Sequence, residues 1–286
     1  MTDVAAASGL LESCWRMVIL GVVQGLTEFL PISSTAHLKA VPAFIGWGDP
    51  GVSVTAVIQL GSIAAVIAYF RNDLQSVLRG IGQAVVRGQW REPEARLGFA
   101  MALGTVPILF AGFLIKVFWP SYSTSVLRSV PSIAMVSIVM ALLLALSEKL
   151  GPRIKILAQV QGRDGLVVGL AQALAIIPGV SRSGSTLTAS LFAGWQRADA
   201  ARFSFLLGIP AITVAGVAEL QDAFDDPNAG GVLPLLLGIV SAAVVSWLSI
   251  DWLIRYLQRH STWIFVAYRL LFGMALLAWW SIAAPN

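Results

Sequence analysis

Gln24-Gly25-Leu26-Thr27-Glu28-Phe29-Leu30-Pro31-Ile32-Ser33-Ser34-Thr35-Ala36-His37 is the stretch on which the fold turns. It sits inside an apolar region running roughly from residue 10 to residue 47, yet it carries a carboxylate, three adjacent hydroxyls and an imidazole. Ionisable groups at membrane depth are costly, so they face the protein interior and mark function. Gln24 and Glu28 stand four residues apart, on one face of a helix. Together they offer oxygen ligands to a hard cation, Mg2+ or Ca2+. Pro31 ends that helix. Ser33, Ser34 and Thr35 then suit the cap of a second short helix, where free N–H groups and the helix dipole favour an anion.

Composition supports a membrane setting for this broken helix. Hydrophobic residues make up 57% of the 286-residue chain and charged residues 12%, against about 25% charged in soluble domains. Mean hydropathy is +0.79. Lipid is therefore the solvent for much of the exterior, and the ten Trp suit interfacial belts. The net charge of +4 and isoelectric point near 9.6 suggest nucleic acid only for a soluble chain. Here the basic residues cluster in connections between apolar runs, so no nucleic-acid partner is expected. A single cysteine, Cys14, excludes an intrachain disulfide, and no Cys/His zinc pattern is present. The N-terminus lacks the basic leader of a cleaved signal and is read as mature sequence.

Six apolar runs reach spanning length, at about 53–70, 99–118, 131–148, 203–220, 232–250 and 262–280. Arg71, Arg79, Arg87, Arg91 and Arg96 mark the 71–98 connection as cytoplasmic; Lys149, Arg153, Lys155 and Arg163 do so for 149–165, and Arg255 and Arg259 for 251–261. The 221–231 connection, with Asp222, Asp225 and Asp226, faces outward, as do the termini. Counting spans then makes 10–47 and 166–195 two re-entrant hairpins that enter from opposite faces. A short repeat agrees. Gly21-x-x-Gln24-x-Leu26 followed by Pro31 and Ser33-Ser34-Thr35 resembles Gly169-x-x-Gln172-x-Leu174 followed by Pro178 and Ser181-Arg182-Ser183, half a chain away. The expected fold is an all-α integral membrane protein of six spans and two re-entrant helical hairpins. Residues 1–286 form one membrane domain of two inverted repeats, about 10–148 and 166–280, joined by the basic loop 149–165. Broken helices meeting near the midplane mark binding sites in such folds.

The second motif, Pro178-Gly179-Val180-Ser181-Arg182-Ser183-Gly184-Ser185-Thr186, holds the sole charge between Leu166 and Gln196. Arg182 presents a rigid fork that matches phosphate oxygens. Gly179 and Gly184 let backbone N–H groups come close to a ligand, and Ser181, Ser183 and Thr186 add donors. This is a phosphate cradle without the Gly-Lys-Ser/Thr ending of a P-loop. Plainer readings compete: Ser185, Thr186, Thr188 and Thr27 as hydroxyls that back-bond within helices, His37 as a structural histidine, Glu28 and Arg182 as a structural ion pair, and Lys39 as an interfacial residue.

The paired motifs resemble the undecaprenyl-diphosphate phosphatase family of the bacitracin-resistance type. The family pattern of Glu or Gln, three residues, Glu, then Leu-Pro-x-Ser-Ser-Thr-x-His, is met by Gln24, Glu28 and Leu30 to His37; Pro-Gly-x-Ser-Arg-Ser-x-x-Thr is met by Pro178 to Thr186. Position 24 is Gln where many members have Glu, and position 36 is Ala where Gly is common. The resemblance implies hydrolysis of undecaprenyl diphosphate to the monophosphate and inorganic phosphate, which recycles the cell-wall lipid carrier and confers bacitracin resistance. It also implies a divalent cation, a bacterial inner-membrane location and a homodimer. Glu28, Ser34, His37 and Arg182 match the family's catalytic positions. In this reading Ser34 attacks phosphorus or orients water, and His37 is general acid or base. A flippase or transporter of polyprenyl phosphate lipids shares every one of these features. The acid-phosphatase-like lipid phosphatases do not fit, because no His follows Ser181-Arg182 until His260.

Overall fold

The computed structural model describes residues 2–220 and 230–283, and within them the chain is helical without a β-strand. The eleven α-helices of the described residues are numbered in chain order. α1 (Thr2–Thr27) and α2 (Ser34–Phe44) form the front hairpin. α3 (Val52–Tyr69), α4 (Arg71–Arg87), α5 (Pro93–Phe118) and α6 (Val130–Leu150) follow. α7 (Gly162–Ala173) and α8 (Arg182–Phe192) form the back hairpin. α9 (Arg197–Ala218), α10 (Val232–Arg259) and α11 (Trp263–Ala283) complete the set. The acidic connection around Asp222, Asp225 and Asp226 lies outside the described residues.

Seven helices, not six, are long and apolar enough to cross a membrane. The seventh is the first limb of the front hairpin, Gly9–Thr27. Its glycines do not break it. A Cβ on Gly25 would meet Val245 Cβ at 2.7 Å and the Ser246 nitrogen at 2.8 Å, so the small residue brings α1 against α10. The break comes after Thr27, at Pro31. The 71–98 connection is also more ordered than its charge suggests. It holds α4, which ends on left-handed Gly88 (φ 71°), and then α5 opens on Pro93, a residue suited to a first helical turn.

The two hairpins share one local design. Ser33 (φ 76°) and Ser181 (φ 70°) both stand at positive φ immediately before a short helix. Such a conformation costs a non-glycine residue on the order of 1–3 kcal/mol and persists only where its surroundings impose it. α8 is then capped by Ser181, whose Oγ accepts the Gly184 N–H at 3.1 Å. α6 and α8 pack together, α8 and α9 pack together, and α9 lies on α3 and α5. The tips of both hairpins are thereby held at the centre of the bundle.

Candidate active site

Glu28 lies one residue beyond α1, and its N–H still bonds to the Gln24 carbonyl at 2.9 Å. The side chain is buried, and each carboxylate oxygen is engaged. Oε1 accepts Arg182 Nη2 at 3.0 Å. Oε2 accepts Gln24 Nε2 at 2.9 Å and the Ser34 hydroxyl at 2.8 Å. Arg182 opens α8 and reaches α9 as well, donating from Nη1 to the Ser204 carbonyl at 3.2 Å. A Cβ on Gly208 would overlap the guanidinium, so that glycine makes room for Arg182 between α8 and α9. The Arg182 Nε–H is buried without a protein acceptor. Buried donors without partners are rare and point to a ligand or water.

A cavity of ≈ 210 Å³ opens on this pair. Glu28, Ser33, Ser34, Thr35, Gly179, Ser181 and Arg182 line its polar side, while Ile108 from α5 and Ala211, Ile212 and Ala215 from α9 form an apolar side. The first turns of α2 and α8 both line it, so two helix N-termini favour an anion there. Drug-sized ligands occupy about 300–1,000 Å³, so the space suits a phosphate headgroup and leaves a long hydrocarbon tail outside.

The structure thus brings together Gln24, Glu28, Ser33, Ser34, Thr35, Gly179, Ser181 and Arg182. The other candidates lie around them. Ser183 ties the hairpins, donating to the Leu30 carbonyl at 2.9 Å and to that of Glu28 at 3.2 Å. Thr186 meets the Ser204 hydroxyl at 2.5 Å and donates to the Arg182 carbonyl at 2.8 Å. His37 does not line the cavity. One ring nitrogen meets the Ser33 carbonyl at 2.7 Å and the other the Tyr268 hydroxyl at 2.7 Å, with Phe272 stacked at 4.2 Å. It supports the strained Ser33 turn from behind.

Arg269 was not among the sequence candidates. It is fully buried on α11, with no carboxylate partner among the described residues. Its guanidinium donates to the carbonyls of Gly179 at 2.7 Å, Pro31 at 3.1 Å and Val180 at 3.2 Å, clamping one hairpin turn to the other. The available signal was a lone arginine in an apolar span, the same signal that singled out Arg182. Arg269→Leu is expected to cost on the order of 3–5 kcal/mol through the stranded carbonyls. A fall of roughly 10 °C in the melting midpoint would follow. A midpoint within a degree of the parent protein, read by thermal unfolding in detergent, would show that Arg269 does not hold the hairpins together.

The site's donor set suits a hard cation. Glu28 and Ser34 supply oxygens, and neither sulfur nor imidazole competes for the position. Gln24 turns its amide nitrogen to Glu28 at 2.9 Å, so its oxygen would reach an ion there only with the amide turned over. Among the described residues no cluster of three His, Cys, Asp or Glu side chains builds a metal cage. Mg2+ is commonly held by one or two carboxylates plus substrate phosphate oxygens, and this arrangement fits that mode.

Fold and site define a class: a multi-pass membrane protein with a carboxylate–guanidinium pair buried between two broken hairpins, beside an anion-sized cavity. The family model described as Bacitracin resistance protein BacA matches residues 17–275, and the chain belongs to that family. The undecaprenyl-diphosphatase of Synechococcus sp. (strain WH7803) is 75% identical over 286 residues, covering 100% of both chains. The protein of the same name from Prochlorococcus marinus (strain MIT 9303) is 74% identical over 286 residues, 100% of this chain and 98% of its own. That from Parasynechococcus marenigrum (strain WH8102) is 72% identical over 283 residues, 99% of each.

Proposed function

We propose that this chain hydrolyses undecaprenyl diphosphate to undecaprenyl phosphate and inorganic phosphate. The reading follows from family membership and from relatives named undecaprenyl-diphosphatase at 68% to 75% identity over the chain. The observation that carries it is the 3.0 Å contact between Glu28 on the front hairpin and Arg182 on the back one, at the wall of the cavity. Phosphoryl transfer needs little covalent chemistry from the protein; positioning and neutralisation of charge dominate. Arg182, with the first turns of α2 and α8, holds the diphosphate and takes up charge as it develops on the phosphoryl oxygens. The Ser34 hydroxyl already directs its proton at Glu28 Oε2. Glu28 receives that proton as the Ser34 oxygen, or a water held on it, attacks the terminal phosphorus. The bond to the bridging oxygen then breaks and undecaprenyl phosphate leaves. In the serine route a water next cleaves the phosphoseryl ester, freeing inorganic phosphate and restoring the Ser34 hydroxyl, whereas in the water route inorganic phosphate forms directly. His37 acts through Ser33, whose carbonyl it holds, as a positioning residue.

Glu28 would hold a Mg2+ or Ca2+ ion, with Gln24 joining it once its amide is turned over, and the ion would supply further neutralisation of the diphosphate charge. The Arg-rich connections face the cytoplasm, and the two hairpins enter from opposite faces as inverted repeats. A homodimer is carried over from the family resemblance alone.

The test separates hydrolysis from transport. Detergent-solubilised protein is expected to release inorganic phosphate from undecaprenyl diphosphate, and a chelator is expected to reduce that release at least a hundredfold, with recovery on adding back Mg2+ or Ca2+. Movement of lipid in sealed vesicles without any phosphate release would replace the enzyme by the transporter. Release that persists in chelator would remove the cation and leave the phosphatase.

A further inference from the structure

A second cavity, of ≈ 710 Å³, is not the one that carries the chemistry. It lies at the opposite end of α7, where the 149–165 connection meets α5 and the start of α7. Arg96, Lys155 and Arg163 line it against a single carboxylate, Asp164. That carboxylate is already committed. It accepts Lys155 Nζ at 2.6 Å and the Gln161 N–H at 2.8 Å, and Lys155 also lies over the Trp195 ring at 5.2 Å. Arg96 and Arg163 therefore face the cavity with no acid to balance them. Arg96 donates to the Ala158 carbonyl at 2.6 Å and keeps a buried Nε–H without a partner. Arg163 makes no hydrogen bond or ion pair among the described residues.

The rest of the lining is apolar or uncharged: Pro152, Ile154, Val167, Ala193, Gln159 and Gln161. Beside Val167, exposed Leu166 and Leu170 on α7 and Leu174 in the turn that follows it form a stripe at four-residue spacing. Cationic head space above an apolar stripe on a lipid-facing helix matches an anionic amphiphile. Basic pockets between transmembrane helices bind such headgroups. We infer that this cavity is a binding site for the phosphate headgroup of an anionic membrane lipid, with Arg96 and Arg163 as its ligands and the α7 stripe as the bed of one chain. It shares no lining residue with the cavity at Glu28. The length of α7, about 18 Å, lies between them.

The full chain, purified in detergent, is titrated with phosphatidylglycerol, with phosphatidylcholine and with inorganic phosphate, and bound lipid is counted by native mass spectrometry. Phosphatidylglycerol is expected to bind and phosphatidylcholine not. Arg96→Gln with Arg163→Gln should weaken phosphatidylglycerol about thirtyfold. Val167→Trp, which narrows the cavity beside the apolar stripe and leaves every charge in place, should weaken it comparably. Both variants are expected to retain phosphate release in detergent, which serves as the control for folding. Equal retention of the two lipids, or unchanged affinity in folded variants, overturns the inference. Displacement of phosphatidylglycerol by millimolar inorganic phosphate also overturns it and assigns the cavity to free phosphate.

Discussion

Glu28→Gln is expected to lower phosphate release from undecaprenyl diphosphate by at least a hundredfold while the protein remains folded. The substitution keeps the size of the side chain and its place beyond α1 but removes the acceptor of the Ser34 proton. It also removes the charge that balances Arg182 at 3.0 Å. Both losses fall on the transition state: the attacking hydroxyl has no base, and Arg182 is no longer held in one orientation. Losing a single well-placed electrostatic group in a buried site costs roughly a hundredfold to a thousandfold in rate. The loss of stability must be separated from this. Removing one partner of a buried ion pair leaves the other uncompensated, at about 3–5 kcal/mol. Glu28→Gln combined with Arg182→Met should therefore be more stable than Glu28→Gln alone, and still inactive. Parent-like phosphate release from folded Glu28→Gln would eliminate the carboxylate from the chemistry.

Arg182→Lys should be nearly as damaging, although the charge is retained. One nitrogen of Arg182 reaches Glu28 while another reaches the Ser204 carbonyl, and the guanidinium lies against Gly208 and near the Phe29 ring at 5.9 Å. A lysine offers a compact point charge and cannot serve both acceptors across that span. The expected result is a kcat reduced about a hundredfold or more, because the fork is needed most where charge spreads over the phosphoryl oxygens. The change in KM should be smaller, since a cation still attracts the diphosphate. Full kcat in the Arg182→Lys variant would show that charge alone suffices and that the geometry of the fork is incidental.

Arg269 and His37 show how the two kinds of residue differ. Both are buried ionisable groups in apolar sequence, and by that criterion alone they rank with Arg182 and Glu28. Only contacts separate them. Arg269 spends its donors on backbone carbonyls of both hairpin turns, and His37 spends both ring nitrogens on Ser33 and Tyr268. Neither lines the cavity.

The amino-acid sequence was sufficient for the membrane class, for the helix break before Pro31, and for the residue types that meet at the site. Those properties are local: hydropathy follows from composition, a proline cannot continue the helical hydrogen-bond ladder, and a charge in an apolar run must find a partner. It was not sufficient to show that the first limb of the front hairpin is a single helix long and apolar enough to cross a membrane, because whether Gly25 breaks a helix or packs one depends on α10, over two hundred residues away. Nor could it reveal that Ser34 faces Glu28, that His37 turns away towards Tyr268, or that Arg269 joins the hairpins. These depend on the direction of side chains across helices distant in sequence, and that direction is set by packing, which no local pattern encodes.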